Sequence, residues 1–418
     1  MASLQFEGDT SGLSEKQEQF IREVIEKQGF KDNKVLFEPV GKAGDNMIAN
    51  MKRLTIATNG KEDIKMIAKI APKHEPARTF MNASLLFNNE RIMYEEVLPK
   101  FISLQASVDV PANERFMFAK CYGCLLEAPN EVIVLEDLKQ KDYVMFDKLV
   151  PLGDDTVKAT VKNFSILHSL SYALKHLEPE TFENFKSSLF DIFSIMETTD
   201  IFRDMVTLTE MNTLEVLEDE NHKKIIQSII PQWLPIYKKL QKGVNSDKHL
   251  VIQHGDAWTN NILFKLEDGK IVSTMMIDYQ LSKAANPVCD LLYMIFNCTD
   301  HITRSKHYHE WINYYHDELD KSLSNFGLKA SLIYPKDQLD ADLKRYSKQF
   351  FCNSVLFYSM LSRNEEEAAL VKDTMKTDDI LAMKSTMTMG NMSKDTIDGF
   401  RSKVVDLIDS YRELGYLA

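Results

Sequence analysis

His254-Gly255-Asp256-Ala257-Trp258-Thr259-Asn260-Asn261 runs without a break into the apolar Ile262-Leu263-Phe264-Lys265-Leu266. Glu267-Asp268-Gly269-Lys270 then supplies a turn, and Ile271 to Ile277 returns as a second strand that ends in Asp278-Tyr279-Gln280. A hairpin turning near Asp268-Gly269 sets Asn261 alongside Asp278. Three oxygen-bearing side chains, Asp256, Asn261 and Asp278, are thereby expected to converge.

Phosphoryl transfer from a nucleotide needs such a set. A carboxylate must accept or orient the acceptor hydroxyl, and hard oxygen ligands must hold Mg2+ against the phosphates. Asp256 suits the first, catalytic role, and Asn261 and Asp278 suit metal binding. Taken singly, Asp and Asn are ordinary turn and cap residues. The ordered spacing His-x-Asp-x4-Asn, hairpin, Asp favours the chemical reading, because each part falls where the mechanism requires it.

The segment resembles the catalytic and metal-binding motifs of the protein-kinase-like fold, in the His-Gly-Asp form of small-molecule kinases such as choline and aminoglycoside kinases. With Val134-Leu135-Glu136-Asp137-Leu138 upstream, and Pro287 and Asp290 following Ile277-Asp278-Tyr279-Gln280, the pattern is most similar to the ecdysteroid kinase-like family. The resemblance extends over residues 35 to 360. It implies a bilobal α+β fold, with a small β-rich N-terminal lobe and a larger, mainly helical C-terminal lobe containing the catalytic β-hairpin. Residues 1–138, with a hinge at 135–138, would form the nucleotide-binding lobe, and residues 139–418 the catalytic and substrate lobe. The implied cofactors are ATP and Mg2+.

A nucleotide site of this kind also needs a cation on the phosphates and an acid to hold that cation. Lys69, near the end of the strand-like run Ile64–Ile70, and Glu90, in the helical pattern from Thr79 to Phe101, resemble the family's strand lysine and helix glutamate. Gly41-Lys42-Ala43-Gly44-Asp45-Asn46 lies between two strand-like stretches, where a phosphate-covering hairpin is expected. Gly41, Gly44 and Asn46 are its candidate nucleotide contacts. It departs from the Gly-x-Gly-x-x-Gly of protein kinases. Glu136 and Leu138 stand in the hinge, whose backbone by resemblance would hydrogen-bond the adenine edge.

Other residues are weighed as structural. Cys121-Tyr122-Gly123-Cys124 has no second pair, the remaining cysteines being single at 289, 298 and 352, so it reads as part of a hairpin and not as a zinc or redox motif. His168, on the apolar helix face formed by Val157, Val161, Phe164, Leu167, Leu170 and Leu174, reads as a satisfied core residue. His254 is expected to position the catalytic loop, and Asp290 to brace it from a helix start. The aromatics around Trp311-Ile312-Asn313-Tyr314-Tyr315 and Gln349-Phe350-Phe351 could seat a large apolar acceptor, but such spacing usually marks core.

The rest of the chain sets limits on this reading. Of 418 residues, 50 are Lys or Arg and 62 Asp or Glu, a net charge of −12, which argues against a nucleic-acid partner engaged through a broad basic face. Glycine (15) and proline (12) are scarce and no linker or repeat interrupts the chain, so any domains are packed lobes. Five cysteines suit a reducing compartment. Without a signal-like start or a long apolar run, a soluble, cytoplasmic monomer with no membrane insertion is expected. From 154 onward the pattern is mostly helical, with stretches at 182–195, 222–242, 306–325, 341–362 and 394–414.

Only twelve positions separate Asp278 from Asp290, and no Ala-Pro-Glu follows, so a peptide-docking activation segment does not fit. The acceptor is expected to be a small-molecule alcohol. The family resemblance points to an ecdysteroid-like or other hydroxylated metabolite, foreign compounds included. A choline or ethanolamine-type kinase and a non-catalytic nucleotide-binding pseudokinase are the alternatives.

Overall fold

Period-two burial organises the N-terminal sheet. In β2 (Lys34–Pro39), β3 (Asn50–Ile56) and β4 (Ile64–Ile70), the residues Val35, Phe37, Leu54, Ile56, Met66, Ala68 and Ile70 all turn to one face. That face packs on Ile21, Val24 and Ile25 of the helix Glu15–Lys27 and forms a small core of its own. This helix starts at a capping box between Ser14 and Gln17. Lys69, flanked by Ala68 and Ile70, therefore projects from the opposite face.

The structure is a computed structural model that describes residues 4–41, 49–58, 62–196, 200–244, 247–374 and 385–417. Its main sheet has six strands in the order β1-β2-β3-β4-β6-β5, with β1 at Gln5–Gly8, β5 at Cys121–Leu125 and β6 at Val132–Glu136. β1 joins β2 in parallel and every other pairing is antiparallel. Neither β1 nor the Glu15–Lys27 helix carries a motif, and sequence reasoning did not single them out.

The helical pattern expected at 79–101 is a succession of pieces. Glu75–Met81, Ala83–Ile92 and Leu98–Ser107 are α-helical, and Met93–Val97 forms one π-helical turn in which the N–H of Leu98 reaches the carbonyl of Met93. Pro99 has no N–H, and its ring would collide with the carbonyl four residues back, so the widened turn accommodates it.

Beyond β6 the chain enters a helical region. The long helices Asp154–Leu177 and His301–Ser324 pack side by side, and Val288–Cys298 lies against Lys336–Leu361. Val157, Val161, Phe164, Leu167, Leu170 and Leu174 are all fully buried, as their spacing predicts. The stretch expected at 222–242 is split at Pro231 into Glu220–Ile229 and Trp233–Val244.

Set into this region is a three-stranded sheet of β7 (Tyr143–Met145), β9 (Ile262–Glu267) and β10 (Lys270–Met276), with β9 central. Asp268 (φ 49°) and Gly269 (φ 74°) both lie in the left-handed region, which a two-residue hairpin turn of matching twist requires. A short antiparallel pair, β8 (Val251–Ile252) and β11 (Ala284–Ala285), joins the segments that precede and follow the hairpin. The result is a bilobal, protein-kinase-like α+β fold. No helix among the described residues is long and apolar enough to cross a membrane.

Candidate active site

The hairpin register brings the expected residues together. Met276 faces Ile262, and the N–H of Ile277 donates to the carbonyl of Asn261 at 3.0 Å, so Asn261 and Asp278 leave the two strand ends side by side. Asp278 itself adopts φ 65°, ψ 66°. This left-handed conformation is uncommon outside glycine, and it starts the turn that takes the chain away from the hairpin.

Lys69 spans the lobes to meet it. Its Nζ lies 2.5 Å from Glu90 Oε2, 2.7 Å from Asp278 Oδ1 and 3.0 Å from Gln280 Oε1. Lys69 and Glu90 are only 4% and 1% exposed, so neither is the solvated side chain that each would ordinarily be in isolation. Burial opposes the charged form of Lys69, but the carboxylates of Asp278 and Glu90 outweigh it and hold the ammonium above its ordinary range. Burial pushes Glu90 up to about 7, against the attraction of Lys69 and with the added repulsion of Asp278. Gln280 was missed as a site residue. It stands at the position after Asp278-Tyr279 where protein kinases carry glycine, and that departure was its signal.

Asp256 sits in a loop shaped by hydrogen bonds. Asp290, at the start of Val288–Cys298, accepts from the N–H groups of His254 and Gly255, each at 2.8 Å, and from His168 Nε2 at 3.1 Å. Burial alone would raise Asp290, but the His168 and backbone donors hold it below the ordinary carboxylate range. His254 accepts from the N–H of Asp256 at Nδ1 (3.2 Å) and donates from Nε2 to the carbonyl of Ile277 (2.9 Å). These partners assign the neutral Nε2–H tautomer, and burial lowers the pKa of His254 in the same sense. His254 thus ties the loop to the hairpin, with both ring nitrogens occupied. Gly255 has φ 85°, and a Cβ there would stand 2.3 Å from the carbonyl oxygen of Leu281. Only glycine fits this close approach.

The Asp256 carboxylate accepts from the Tyr293 hydroxyl at 2.7 Å and from Asn261 Nδ2 at 3.1 Å. Asn261 Nδ2 also donates to the Asp256 carbonyl, at 2.9 Å. With both amide hydrogens spent on Asp256, the Asn261 carbonyl oxygen is the atom left for a cation. Burial, and then the charge of Asp278, push Asp256 up to about 8, partly offset by Tyr293, Lys69 and Asn261. Tyr293 stands three residues beyond Asp290, one helical turn further along the same face, and that spacing was the signal for it. Trp258, Tyr293 and Phe357 form an aromatic wall here, with ring centroids 5.4 and 5.5 Å from Phe357. Trp311, Tyr315 and Phe351, on the aromatic helices weighed from sequence, are fully buried core instead.

An aromatic column carries the geometry from sheet to loop. Phe118 packs on Tyr94 (6.4 Å), Tyr94 edge-on to Tyr279 (5.4 Å), and Tyr279 on His254 (4.7 Å). Beside it, Asn89 donates to the carbonyls of Phe190, Gln280 and Ser282 at 2.8, 3.2 and 3.4 Å. It anchors the Glu90 helix to the segment following Asp278.

The remaining candidates lie on the N-terminal side. Glu136 ends β6, its N–H donating to the carbonyl of Lys120 (2.8 Å) and its carboxylate pairing with Lys141 (2.6 Å). Asp137 is buried, accepts from Arg53 Nε at 2.5 Å and caps the turn by accepting from the N–H of Lys139. Leu138 is buried and its carbonyl accepts from Asp142. Gly41 follows β2 at φ 87° and lines a cavity of about 510 Å3 together with Asp9, Met51, Lys52, Ile70 and, from the helix Glu365–Thr374, Lys372. Gly44 and Asn46 lie outside the described residues.

The model of the ecdysteroid kinase-like family matches residues 43–328. No curated protein matches the chain. Similar solved structures include the GDP complex of wild-type aminoglycoside 2'-phosphotransferase-IIIa, 11% identical, covering 87% of this chain and 92% of that one at a TM-score of 0.38. Another is an aminoglycoside phosphotransferase from Alicyclobacillus acidocaldarius, 9% identical, covering 90% and 92% at 0.34. A third is the macrolide 2'-phosphotransferase MphH from Brachybacterium faecium, 11% identical, covering 81% and 91% at 0.32.

Proposed function

The chain belongs to the ecdysteroid kinase-like family, and from that premise we propose that it transfers the γ-phosphoryl group of ATP to a hydroxyl of a small metabolite. The observation that carries the reading is the meeting of Asp256, Asn261, Asp278 and Lys69 at the mouth of one hairpin. The chemistry of this donor set fits the cofactors. The Asn261 amide oxygen and the Asp278 carboxylate are hard oxygen ligands suited to Mg2+, and Lys69 is a buried ammonium, kept charged by Asp278 and Glu90 and suited to phosphate. Mg·ATP, when bound, supplies the transferable phosphoryl group.

The chain's own residues do the rest. Glu90 and Gln280 hold Lys69 in the cleft, where it neutralises phosphate oxygens. Asn261 and Asp278 hold the cation. Asp256, kept in place by Tyr293 and Asn261, takes up the proton of the acceptor hydroxyl at its carboxylate. His254, neutral and bonded at both nitrogens, holds the loop and takes no proton. The backbone at Glu136–Leu138 serves the base of the nucleotide, and the N-terminal 138 residues act as the nucleotide lobe against a catalytic lobe from 139 onward.

The acceptor is a hydroxylated metabolite with an apolar body, ecdysteroid-like or xenobiotic. The aromatic wall of Trp258, Tyr293 and Phe357 around Asp256 supports it. The test is incubation of purified protein with Mg·ATP and a panel of hydroxylated compounds, followed by mass spectrometry for products heavier by one phosphoryl group. Such a product, formed at least 100-fold more slowly by Asp256→Asn, supports the reading. Thermal stabilisation by Mg·ATP without any phosphorylated product across the panel overturns it in favour of a nucleotide-binding pseudokinase.

A further inference from the structure

Outside the nucleotide site, the fold brings a group of sulfur and carboxylate side chains together among the described residues. Cys121 and Cys124 both lie on β5, where residues three apart ordinarily point to opposite faces of the sheet. The pairing with β6 slips between them. Cys121 faces Leu135 and Gly123 faces Val134, which makes Tyr122 the extra residue of a β-bulge. The extra residue returns both thiols to one face, with their sulfurs 3.6 Å apart. The third member comes from a different element. Glu95 lies in the π-helical turn Met93–Val97, and its carboxylate and the two sulfurs are all within 4.8 Å of one another.

We propose that Cys121, Cys124 and Glu95 form a binding site for one zinc-like divalent cation, with solvent in the fourth position. Zinc–sulfur bonds of about 2.3 Å in a tetrahedron place two sulfurs about 3.8 Å apart, so the thiols already stand near the required separation. Thiolate sulfur and a carboxylate oxygen together suit zinc better than Mg2+ or Ca2+. Both thiols are half-buried and Glu95 is exposed, so the cation can enter from the carboxylate side. Arg91 competes little, since it lies 2.6 Å from Glu96 and 3.6 Å from Glu95. On binding, each thiol releases its proton to solvent and the sulfur lone pair takes up the cation. The other comparable group among the described residues, Asp154, His307 and Glu310, is already neutralised by an ammonium, because Lys158 pairs with Asp154 at 2.9 Å and with Glu310 at 2.6 Å.

The site's position gives it a consequence. Glu95 follows Glu90 by five residues on one continuous helical run, and its neighbour Tyr94 is a member of the aromatic column that reaches His254. A cation bridging Glu95 to β5 fastens that run to the sheet, and with it the acid that holds Lys69.

The test uses the full chain purified without chelator and supplied with Zn2+ alone. Elemental analysis is expected to find about one zinc per chain, falling at least tenfold in Cys121→Ser/Cys124→Ser, and Glu95→Gln is expected to weaken retention about tenfold. Co2+ in place of zinc is expected to show thiolate-to-cobalt absorption in the near ultraviolet, lost in Cys124→Ser. This spectrum of the unaltered chain decides the matter even if the double variant fails to fold. Equal zinc in the unaltered and double-serine proteins, absence of the cobalt band, or thiols that peroxide oxidises to a disulfide equally fast with and without zinc would each overturn the proposal. None of these readouts depends on phosphoryl transfer.

Discussion

Replacing Asp256 by asparagine is expected to slow transfer 10²- to 10⁴-fold and to change the sign of the variant's stability difference with pH. Asp256 is pushed up to about 8 from the ordinary aspartate value of 3.8. A group whose pKa is raised on folding contributes stability that is present below the unfolded value and lost as pH rises through the folded one. The unaltered protein therefore loses stability between about pH 4 and pH 8, by roughly 4 kcal/mol at pH 7 if no solvent reached the group. Asp256 is partly open to solvent, and screening reduces this to about 2 kcal/mol. The amide in Asp256→Asn can still accept from Tyr293, but it sets N–H against the Asn261 amide and forfeits about 1 kcal/mol of hydrogen bonding. Urea melts should then find the variant less stable by about 0.5 kcal/mol near pH 4.5 and more stable by about 1 kcal/mol near pH 7.5, while kcat falls 10²- to 10⁴-fold. Glu90, raised to about 7, carries the same sign but is common to both proteins and drops out of the difference. Stability curves that run parallel across this range would refute the electrostatic argument.

Lys69→Met leaves the buried Glu90 and the Asp278 carboxylate without their cation. It should lower stability by about 3–5 kcal/mol in urea melts and remove stabilisation by Mg·ATP, and adding Glu90→Gln should restore part of the stability and none of the transfer. Gly255→Ala forces a Cβ onto the Leu281 carbonyl at a positive φ. Loss of transfer with a lowered Tm is expected, against a near-neutral result if the loop could yield. Asp290→Ala strands the N–H groups of His254 and Gly255 and should destabilise by about 2–4 kcal/mol by the same melts. Tyr293→Phe removes one donor to Asp256 with little change of shape. It should shift the rising limb of the pH–kcat profile to higher pH, because that hydrogen bond lowers the carboxylate's pKa.

The hairpin was legible in the chain because its information is local. A two-residue turn and period-two strands determine the register, and the register alone places Asn261 next to Asp278. Lys69 and Glu90 were legible only as parts of a larger pattern, since nothing in their own surroundings predicts that both are buried against Asp278. The contacts that complete the site join positions far apart in sequence: Gln280 to Lys69, Asn89 to the carbonyls beyond Asp278, and Phe118 through Tyr94 and Tyr279 to His254. Such contacts depend on how the two lobes are packed and leave no periodic trace. The bulge at Tyr122 shows the opposite effect. One unpaired residue reverses the face of Cys121 relative to Cys124, and residue spacing in the chain does not report it.

The central claim is that Asp256, Asn261, Asp278 and Lys69 together move a phosphoryl group to an alcohol. The most direct measurement follows ATP carrying an isotopic label in its γ-phosphoryl group, with the protein, Mg2+ and a fractionated extract of hydroxylated metabolites, by mass spectrometry. The account predicts a labelled phosphate ester with the unaltered protein, formed at least 100-fold more slowly by Asp256→Asn although that variant still binds Mg·ATP. Label that appears only in inorganic phosphate, or a phosphate ester formed equally by Asp256→Asn, would contradict it.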